Sequence, residues 1–503
     1  MEQKDWLALR SGTDVRGTAV PGIPNDPVTL TDEAVTGIMK AFCRRLLLSA
    51  EGKRPTIAIG HDSRISADRI SAVAAAAAAE SGCDLILTGL SSTPSMFMLL
   101  QEKDIRADAS IMITASHLPY QKNGLKFFLP SGGLSGEEVT AVLLDAAEGK
   151  SVSGSPGTVR TIDYISRYSD NLVRLVREKT GENRPLAGKK IIVDAGNGAG
   201  GFYAEKVLAS LGADTEGSCF LDPDGMFPHH IPNPENKQAM AYVCAQVKQC
   251  GADFGIIFDT DVDRAGAVDE NGEEINRNRL IALISAILLE EMPGSVIVTD
   301  SVTSDGLTAF IEKHGGFHCR YKRGYRNVID KAKELCAAGQ NAPIGIETSG
   351  HAALKENYFL DDGAYLVTRL LITLSKLSKT GRTITSLIAD LPEPEEAGEA
   401  RLPFAAGCDF RAAGRDILEA LPAFIERTEG ISAVPENHEG VRMNFDAAHG
   451  NGWALVRMSL HEPILPVNLE SNTKGGLRII AETLLRFIRN YPVLDTEPLE
   501  KFL

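Results

Sequence analysis

Short apolar runs alternate with amphipathic stretches through most of the chain, and that alternation predicts strands and helices in turn. The spacing predicts a helix over 31–49, a strand over Thr56–Gly60, an alanine-rich helix around Ala72–Ala79 and a strand at Leu85–Leu87 that breaks at Gly89. A strand at Ile111–Ile113 and a helix over 136–148 follow. After a helical stretch come strands at Lys189–Asp194 and Phe254–Phe258, an apolar helix over 279–291, a strand at Ser295–Thr299, a helix over 305–314 and a strand at Pro343–Ile346. The last hundred or so residues change character: a helix over 409–420, strands near 440–446, 453–460 and 464–470, then a helix over 474–489.

Turn-rich Ser151–Gly157, the pair Asn271-Gly272 and the acidic, proline-containing stretch Leu391–Glu396 punctuate this pattern. A chain of 503 residues is too long for one core. The expected domains are 1–155, 156–272, 273–390 and 396–503. The expected fold class is α/β: three consecutive mixed α/β sandwich domains plus a C-terminal α+β domain with an antiparallel sheet, arranged around a central cleft. Strands of the first three domains repeatedly end in hydroxyl, carboxylate, arginine or glycine residues. The carboxyl ends of parallel strands are where such folds bind ligands.

Composition narrows the function. A formal net charge of −15 argues against nucleic acid or an anionic membrane as partner, while a local Arg/Lys cluster still admits an anionic small molecule. The eight cysteines form no CxxC pair, as expected of reduced thiols in a cytoplasmic protein. Met1–Trp6 lacks an apolar signal core, and the run Leu280–Leu289 is too short to span a bilayer.

Three loops carry candidate chemistry. The first is Thr114-Ala115-Ser116-His117-Leu118-Pro119, directly after a buried strand. A serine at a rigid strand exit, with an imidazole beside it, is a candidate nucleophile; a polar loop capping the next helix fits the same letters. The second is Asp259-Thr260-Asp261-Val262-Asp263-Arg264. Extended, its outer aspartates would lie about 13 Å apart at ~3.3 Å per residue. Oxygens sharing one Mg²⁺ must approach within roughly 4 Å, so the loop must curl. Three clustered carboxylates call for a hard cation, and with no His or Cys interleaved, Mg²⁺ is favoured over Zn²⁺. A solvated acidic turn is the plainer alternative. The third is Glu347-Thr348-Ser349-Gly350-His351, whose groups suit sugar hydroxyls or an N-capping turn.

Other segments are less specific. Arg457 and Ser459, followed by Leu460 and His461, could cradle a phosphate or form an ordinary strand pair. Arg10–Gly17 is a glycine-bracketed loop with two arginines, or a disordered leader with a turn. Gly196, Gly198 and Gly201, with Asp214 beyond, satisfy a dinucleotide fingerprint, but a tight glycine turn without cofactor is preferred. His229 and His230 are adjacent in a loop and so unsuited to converging on one ion.

Taken in order, these loops resemble the α-D-phosphohexomutase superfamily, the phosphoglucomutase and phosphomannomutase enzymes, over nearly the whole length. Thr114–His117 with Pro119, Asn123, Gly124 and Lys126 is similar to the family's phosphoserine loop, and Asp259–Arg264 to its metal loop. Glu347–His351 is similar to its sugar-specificity loop, and Arg457-x-Ser459 with Glu462-Pro463 to its phosphate-binding loop. Gly12-Thr13 with Arg16-Gly17 resembles its N-terminal motif. The resemblance implies a mutase interconverting hexose 1-phosphate and hexose 6-phosphate, of glucose or mannose, through a phosphoserine on Ser116. A glucose 1,6-bisphosphate would serve as activator and intermediate. It implies one Mg²⁺ per chain on Ser116, Asp259, Asp261 and Asp263, with Arg16, Arg264, Lys126 and His117 as catalytic candidates. Glu347, Ser349, His351, Arg323 and Arg326 would bind substrate, and Arg457, Ser459 and His461 its phosphate. The partners implied are small hexose phosphates, the chain being a monomer or homodimer.

Some residues depart from the family pattern. Leu118 stands where asparagine is common, Asp300-Ser301-Val302-Thr303 lacks a basic residue many members have, and Leu460-His461 replaces Asn-Thr. Arg323-Gly324-Tyr325-Arg326 differs from the usual glycine–histidine or glycine–lysine arrangement, and Arg323 or Arg326 is expected to supply the missing charge. Three other readings stay in play: a phosphoglucosamine mutase, a non-catalytic sugar-phosphate sensor prompted by the altered phosphate and basic loops, and an NAD-dependent oxidoreductase built on Gly196, Gly198 and Gly201.

Overall fold

The computed structural model describes residues 1–50, 52–459 and 462–503. It forms two compact units, Met1–Asn276 with Ser349–Ser386, and Arg277–Thr348 with Leu387–Leu503.

In the first unit, β-branched runs build the centre of a large sheet. Thr56–His61 lies parallel to Ala109–Ile113 on one side and to Asp84–Leu90 on the other, and Val159–Thr161 extends that edge in parallel. The sheet is mixed rather than wholly parallel. After Pro119 the chain reverses and Lys122–Leu129 returns antiparallel to the serine strand, with Asp14–Thr18 antiparallel beyond it. Asp14–Thr18 is therefore part of the sheet, and Val15 is fully buried; the disordered-leader reading of that segment does not hold.

Side chains alternate across a strand. Ile57, Ile59, Ile111, Ile113, Leu125 and Phe127 form one core with helices Asp32–Ser49, Ala67–Glu80 and Gly136–Ala147. Each such side chain, fully buried, contributes about 1.5–3 kcal/mol. Ala74, Ala77 and Ala78 supply the small contacts that let their helix lie close to the strands. By the same alternation, Lys126, paired with Met112 in the register, stands on the opposite face.

The second sheet orders Glu274–Ile275, Ala265–Val268, Phe254–Phe258 and Ile191–Asp194. Only Phe254–Phe258 and Ile191–Asp194 are parallel; Ala265–Val268 runs back antiparallel, with Phe258 opposite Ala265. Asp259–Arg264 is thus the six-residue connection of a hairpin, which supplies the curl that three convergent aspartates require.

Helix Gly363–Ser378 completes this unit. Its N-cap Asp362 accepts from Tyr365 N (2.8 Å), Tyr168 Oη (2.7 and 2.8 Å) and Asn357 Nδ2 (3.0 Å). Burial nevertheless outweighs these donors and pushes its carboxyl up to about 6. The unfolded chain therefore releases this proton near pH 4, two units before the folded chain does. The difference makes stability fall as pH rises from about 4 to 6, by roughly 3 kcal/mol at 1.36 kcal/mol per unit. Asp362→Asn is expected to remove that slope, measured as urea unfolding of variant and wild type at pH 4.5 and 7. An unchanged slope would reject the assignment.

In the second unit, Phe317–Tyr321, Val296–Asp300 and Ile344–Ile346 form a parallel group. Helix Arg277–Glu291 is buried on nearly every side from Leu280 to Leu289, which explains a run that is apolar except for the buried Ser285. The C-terminal sheet is wholly antiparallel, ordered Glu396–Pro403, Ile464–Ser471, Gly452–Val456, Val441–Phe445 and Ile431–Ala433. Its helices Phe410–Arg427 and Gly476–Ile488 share one core with it. The strand expected over 453–460 ends at Val456, while Leu460 and His461 lie outside the described residues. The stretch read as a linker gives way to the long edge strand at Glu396.

Candidate active site

The serine loop begins where Ala109–Ile113 ends. Thr114 Oγ1 donates to Asp62 Oδ2 (2.7 Å) and accepts from Ser116 N (2.9 Å), closing a tight turn. Ser116 sits in the left-handed region at φ 52 and is 2% exposed, a conformation that only a well-braced loop sustains for a non-glycine residue. Its Oγ donates to Asp259 Oδ2 (3.0 Å) and accepts from Arg264 Nη2 (2.8 Å). The serine and the first aspartate, 143 residues apart in the chain, are therefore in direct contact.

Asp259, Asp261 and Asp263 converge. One oxygen of each lies within 4.8 Å of the others, and all three are buried. The loop is held by Arg264 N on Asp259 Oδ1 (3.2 Å) and by Val262, a β-branched residue at φ 67 and a second point of strain. Lys126 Nζ reaches across from the neighbouring sheet to Asp261 Oδ2 (2.9 Å) and Asp263 Oδ2 (2.6 Å). Asp261 Oδ1 and Asp263 Oδ1 are buried and accept no hydrogen bond among the described residues. Burial, then the charges of Asp263 and Asp261, pushes the Asp259 carboxyl well above its usual range. Burial acts in the same direction on Asp263, but Lys126, His351 and Arg264 outweigh it and hold that carboxyl low. An all-oxygen donor set with two unsatisfied oxygens fits a hard divalent cation.

His117 Nδ1 lies 3.3 Å from Ser116 Oγ and accepts from Arg264 Nη2. Burial first, then the Arg264 and Arg16 charges, pushes this imidazole down to about 2, so it is neutral near pH 7. Arg16 Nη2 pairs with Asp14 Oδ2 (2.9 Å). His351 Nδ1 binds Asp361 Oδ2 (2.5 Å) and lies 3.8 Å from Asp263 Oδ1; these two carboxylates outweigh its burial and favour imidazolium. His351 is thus tied to the acidic loop, and Ser349, 6% exposed, lies in the same unit.

Several participants were not anticipated. Thr93, the first residue of helix Thr93–Met98, donates Oγ1 to Asp261 Oδ2 (2.5 Å) and N to Asp261 O (2.8 Å). Arg264 Nη1 approaches Asn233 Oδ1 (3.4 Å) and Glu235 Oε2 (4.0 Å). Ser91–Pro94 reads only as a strand break, and nothing local points it at an aspartate 168 residues away.

The glycine motif resolves as a turn. A Cβ on Gly198 would stand 2.6 Å from Thr260 O, and one on Gly201 2.4 Å from Leu221 O, so protein backbone fills the faces a nucleotide would need. His230 Nε2 binds Asp194 Oδ2 (2.9 Å), while His229 Nδ1 lies 2.8 Å from Asn197 Oδ1, so the two imidazoles have separate hydrogen-bond partners.

Three family models match successive segments of this chain: phosphoglucomutase/phosphomannomutase α/β/α domain I over residues 13–152, domain II over 166–272 and domain III over 276–394. The chain belongs to the phosphoglucomutase/phosphomannomutase family. A Pseudomonas putida protein named phosphomannomutase/phosphoglucomutase is 30% identical over 458 residues, 90% of this chain and 91% of its own. A Neisseria gonorrhoeae phosphoglucomutase is 29% identical over 468 residues, 93% and 95% of the two chains. The crystal structure of a family protein from Burkholderia thailandensis superposes with a TM-score of 0.80 at 26% identity, covering 98% of this chain and 99% of that one.

The second unit holds the remaining residues singled out by the family resemblance. Glu347 Oε1 accepts from Gly324 N (2.5 Å), and Arg323 Nε lies 3.9 Å from Asp300 Oδ2. Glu439 Oε2 accepts from Arg323 N (3.0 Å) and from Ser301 Oγ, fastening the basic loop to the C-terminal domain. Arg326 pairs along its own helix with Asp330 (2.9 Å). Arg457 is 8% exposed and 3.7 Å from Glu399; burial, then the nearby Arg323 charge, holds its guanidinium below the usual range. Ser459 Oγ accepts from Glu462 N (3.1 Å). His461 lies outside the described residues.

Proposed function

We propose that this chain is a phosphosugar mutase that interconverts hexose 1-phosphate and hexose 6-phosphate, with glucose and mannose phosphates as substrates. The observation that carries this reading is the contact of a strained, buried serine with both an arginine and the first carboxylate of an acidic triad. Ser116 bears the phosphoryl group and passes it to a hydroxyl of the bound hexose monophosphate, giving a hexose 1,6-bisphosphate. The bisphosphate then returns its other phosphoryl group to Ser116. Transfer of this kind rests on positioning and charge stabilisation, and Arg264 Nη2, bonded to Ser116 Oγ, is placed to balance charge at the bond that breaks.

Asp259, Asp261 and Asp263, with an oxygen on Ser116, would hold one Mg²⁺, which supplies Lewis-acid stabilisation of the phosphoryl oxygens. Lys126 is the better general acid/base candidate. His117, kept neutral with Nδ1 engaged by Arg264, orients that arginine and the serine. Arg16 adds positive potential at the serine loop. Glu347 and Ser349 take sugar hydroxyls, and His351, held by Asp361, backs the acidic loop. Arg457, Ser459 and Arg323 form the subsite for the phosphate that is not transferred. Burial, and then the Arg323 charge, depresses Arg457, and a dianion placed there would relieve both. Arg326, at the start of the next helix, is the second candidate for the basic group that binds substrate. Eight unpaired thiols suit a cytoplasmic enzyme, and among the described residues no helix is long and apolar enough to cross a membrane.

A coupled assay for glucose 6-phosphate, with glucose 1-phosphate, Mg²⁺ and a trace of glucose 1,6-bisphosphate, tests the reading. Turnover is expected. Binding of glucose 1-phosphate without turnover would make the chain a sensor, and turnover of glucosamine phosphate alone would move it to that substrate.

A further inference from the structure

Four carbonyl groups of the serine loop point at a single side chain. Arg64 Nη1 donates to Pro119 O (2.8 Å) and Lys122 O (2.9 Å), and Nη2 donates to Leu118 O (2.8 Å) and to Ser116 O. Its Nε donates to Asp62 Oδ2 (3.2 Å), the oxygen that also accepts from Thr114 Oγ1. All five guanidinium N–H groups are therefore used, four of them on one short loop. Arg64 is 2% exposed and Asp62 fully buried, and on its other side the guanidinium lies 5.3 Å from the ring centroid of Phe227.

Four carbonyl dipoles converging on one point repel each other, and the turn they belong to holds Ser116 in the left-handed region. Only a planar cation with donors in several directions can satisfy them together. We propose that Arg64 is a positioning residue for phosphoryl transfer: it closes the serine loop by gathering its carbonyls, and so fixes where Ser116 Oγ stands relative to Asp259 and Arg264. Arg64 does not touch the reacting atoms. This inference rests on the mutase reading for its catalytic consequence, but its geometric content can be measured separately.

Arg64→Lys keeps the charge beside Asp62 and offers three donors for five acceptors. Misplacing a reacting atom by about 1 Å costs on the order of 10²-fold in rate. The variant is expected to stay folded by circular dichroism and to lose roughly 10²-fold in kcat for glucose 1-phosphate, with KM within about threefold. Intact mass should show slowed phosphorylation of Ser116 by glucose 1,6-bisphosphate. Its crystal structure is expected to show Ser116 Oγ displaced from Asp259. A folded variant with Ser116 unmoved, or with kcat near wild type, overturns the proposal. A variant that does not fold assigns Arg64 to the core and overturns it too. Wild-type protein that takes no phosphoryl group on Ser116 sinks the mutase reading, while the crystallographic comparison still decides whether Arg64 sets the loop.

Discussion

Replacing Ser116 by alanine is expected to lower turnover of glucose 1-phosphate by roughly 10⁴-fold or more, because the variant loses the hydroxyl that carries the phosphoryl group. The argument is geometric. Ser116 Oγ is the only atom of its side chain that meets both Asp259 Oδ2 and Arg264 Nη2, at 3.0 and 2.8 Å. Thr114, the nearest hydroxyl in sequence, has its Oγ1 committed to Asp62 and to Ser116 N. The fold should survive. Without the hydroxyl, Arg264 and Asp259 still face each other, Nε to Oδ2 at 3.4 Å, so neither is left as an isolated buried charge. A change in stability of about 1 kcal/mol is expected for a lost hydrogen bond of this type. Wild-type protein treated with glucose 1,6-bisphosphate should gain the mass of one phosphoryl group and the variant none. Turnover by the variant within tenfold of wild type would remove Ser116 from the chemistry.

Much of this was legible in the chain. The apolar runs at Ile57, Ile111 and Phe254 are dense in β-branched and aromatic residues, so the strands that end at the site announce themselves. The acidic triad reads as a metal loop because alternation at that spacing demands a curl, and the hairpin between Phe258 and Ala265 provides it. The partners of those residues were not legible. Lys122–Leu129 carries lysines, an asparagine and a glycine, and no alternation reveals it as a strand. Yet that strand is what brings Lys126 to Asp261 and Asp263. Thr93 meets Asp261 only because two sheets pack together, and local pattern contains no record of that packing. Arg323 and Arg326 look equivalent in sequence. Helical spacing gives Arg326 a partner four residues on in Asp330, while Arg323, before the helix starts at Tyr325, is held at Glu439.

Removing divalent metal is expected to cost about 10³-fold or more in turnover, restored by Mg²⁺. Three buried carboxylates stand together here, and Lys126, Arg264 and the His351 imidazolium face them. A phosphoryl group on Ser116 would add about −1.5 to −2 of charge at neutral pH. The side chains present leave that total negative, in a place where Asp261 Oδ1 and Asp263 Oδ1 accept no hydrogen bond among the described residues. Lewis-acid stabilisation of a phosphoryl transition state is worth several kcal/mol. At 1.36 kcal/mol per tenfold, that corresponds to about 10³ in rate. An oxygen-only donor set should favour Mg²⁺ and accept Mn²⁺, with Zn²⁺ restoring less. A measurement independent of activity comes from linkage, since a ligand that binds only the folded chain raises its unfolding temperature. Mg²⁺ should raise the unfolding temperature of EDTA-treated wild type, and should raise that of Asp261→Asn much less. Full turnover after exhaustive chelation, or equal Mg²⁺ stabilisation of both proteins, would show that the acidic hairpin holds no catalytic cation and that the chain's own basic side chains balance it.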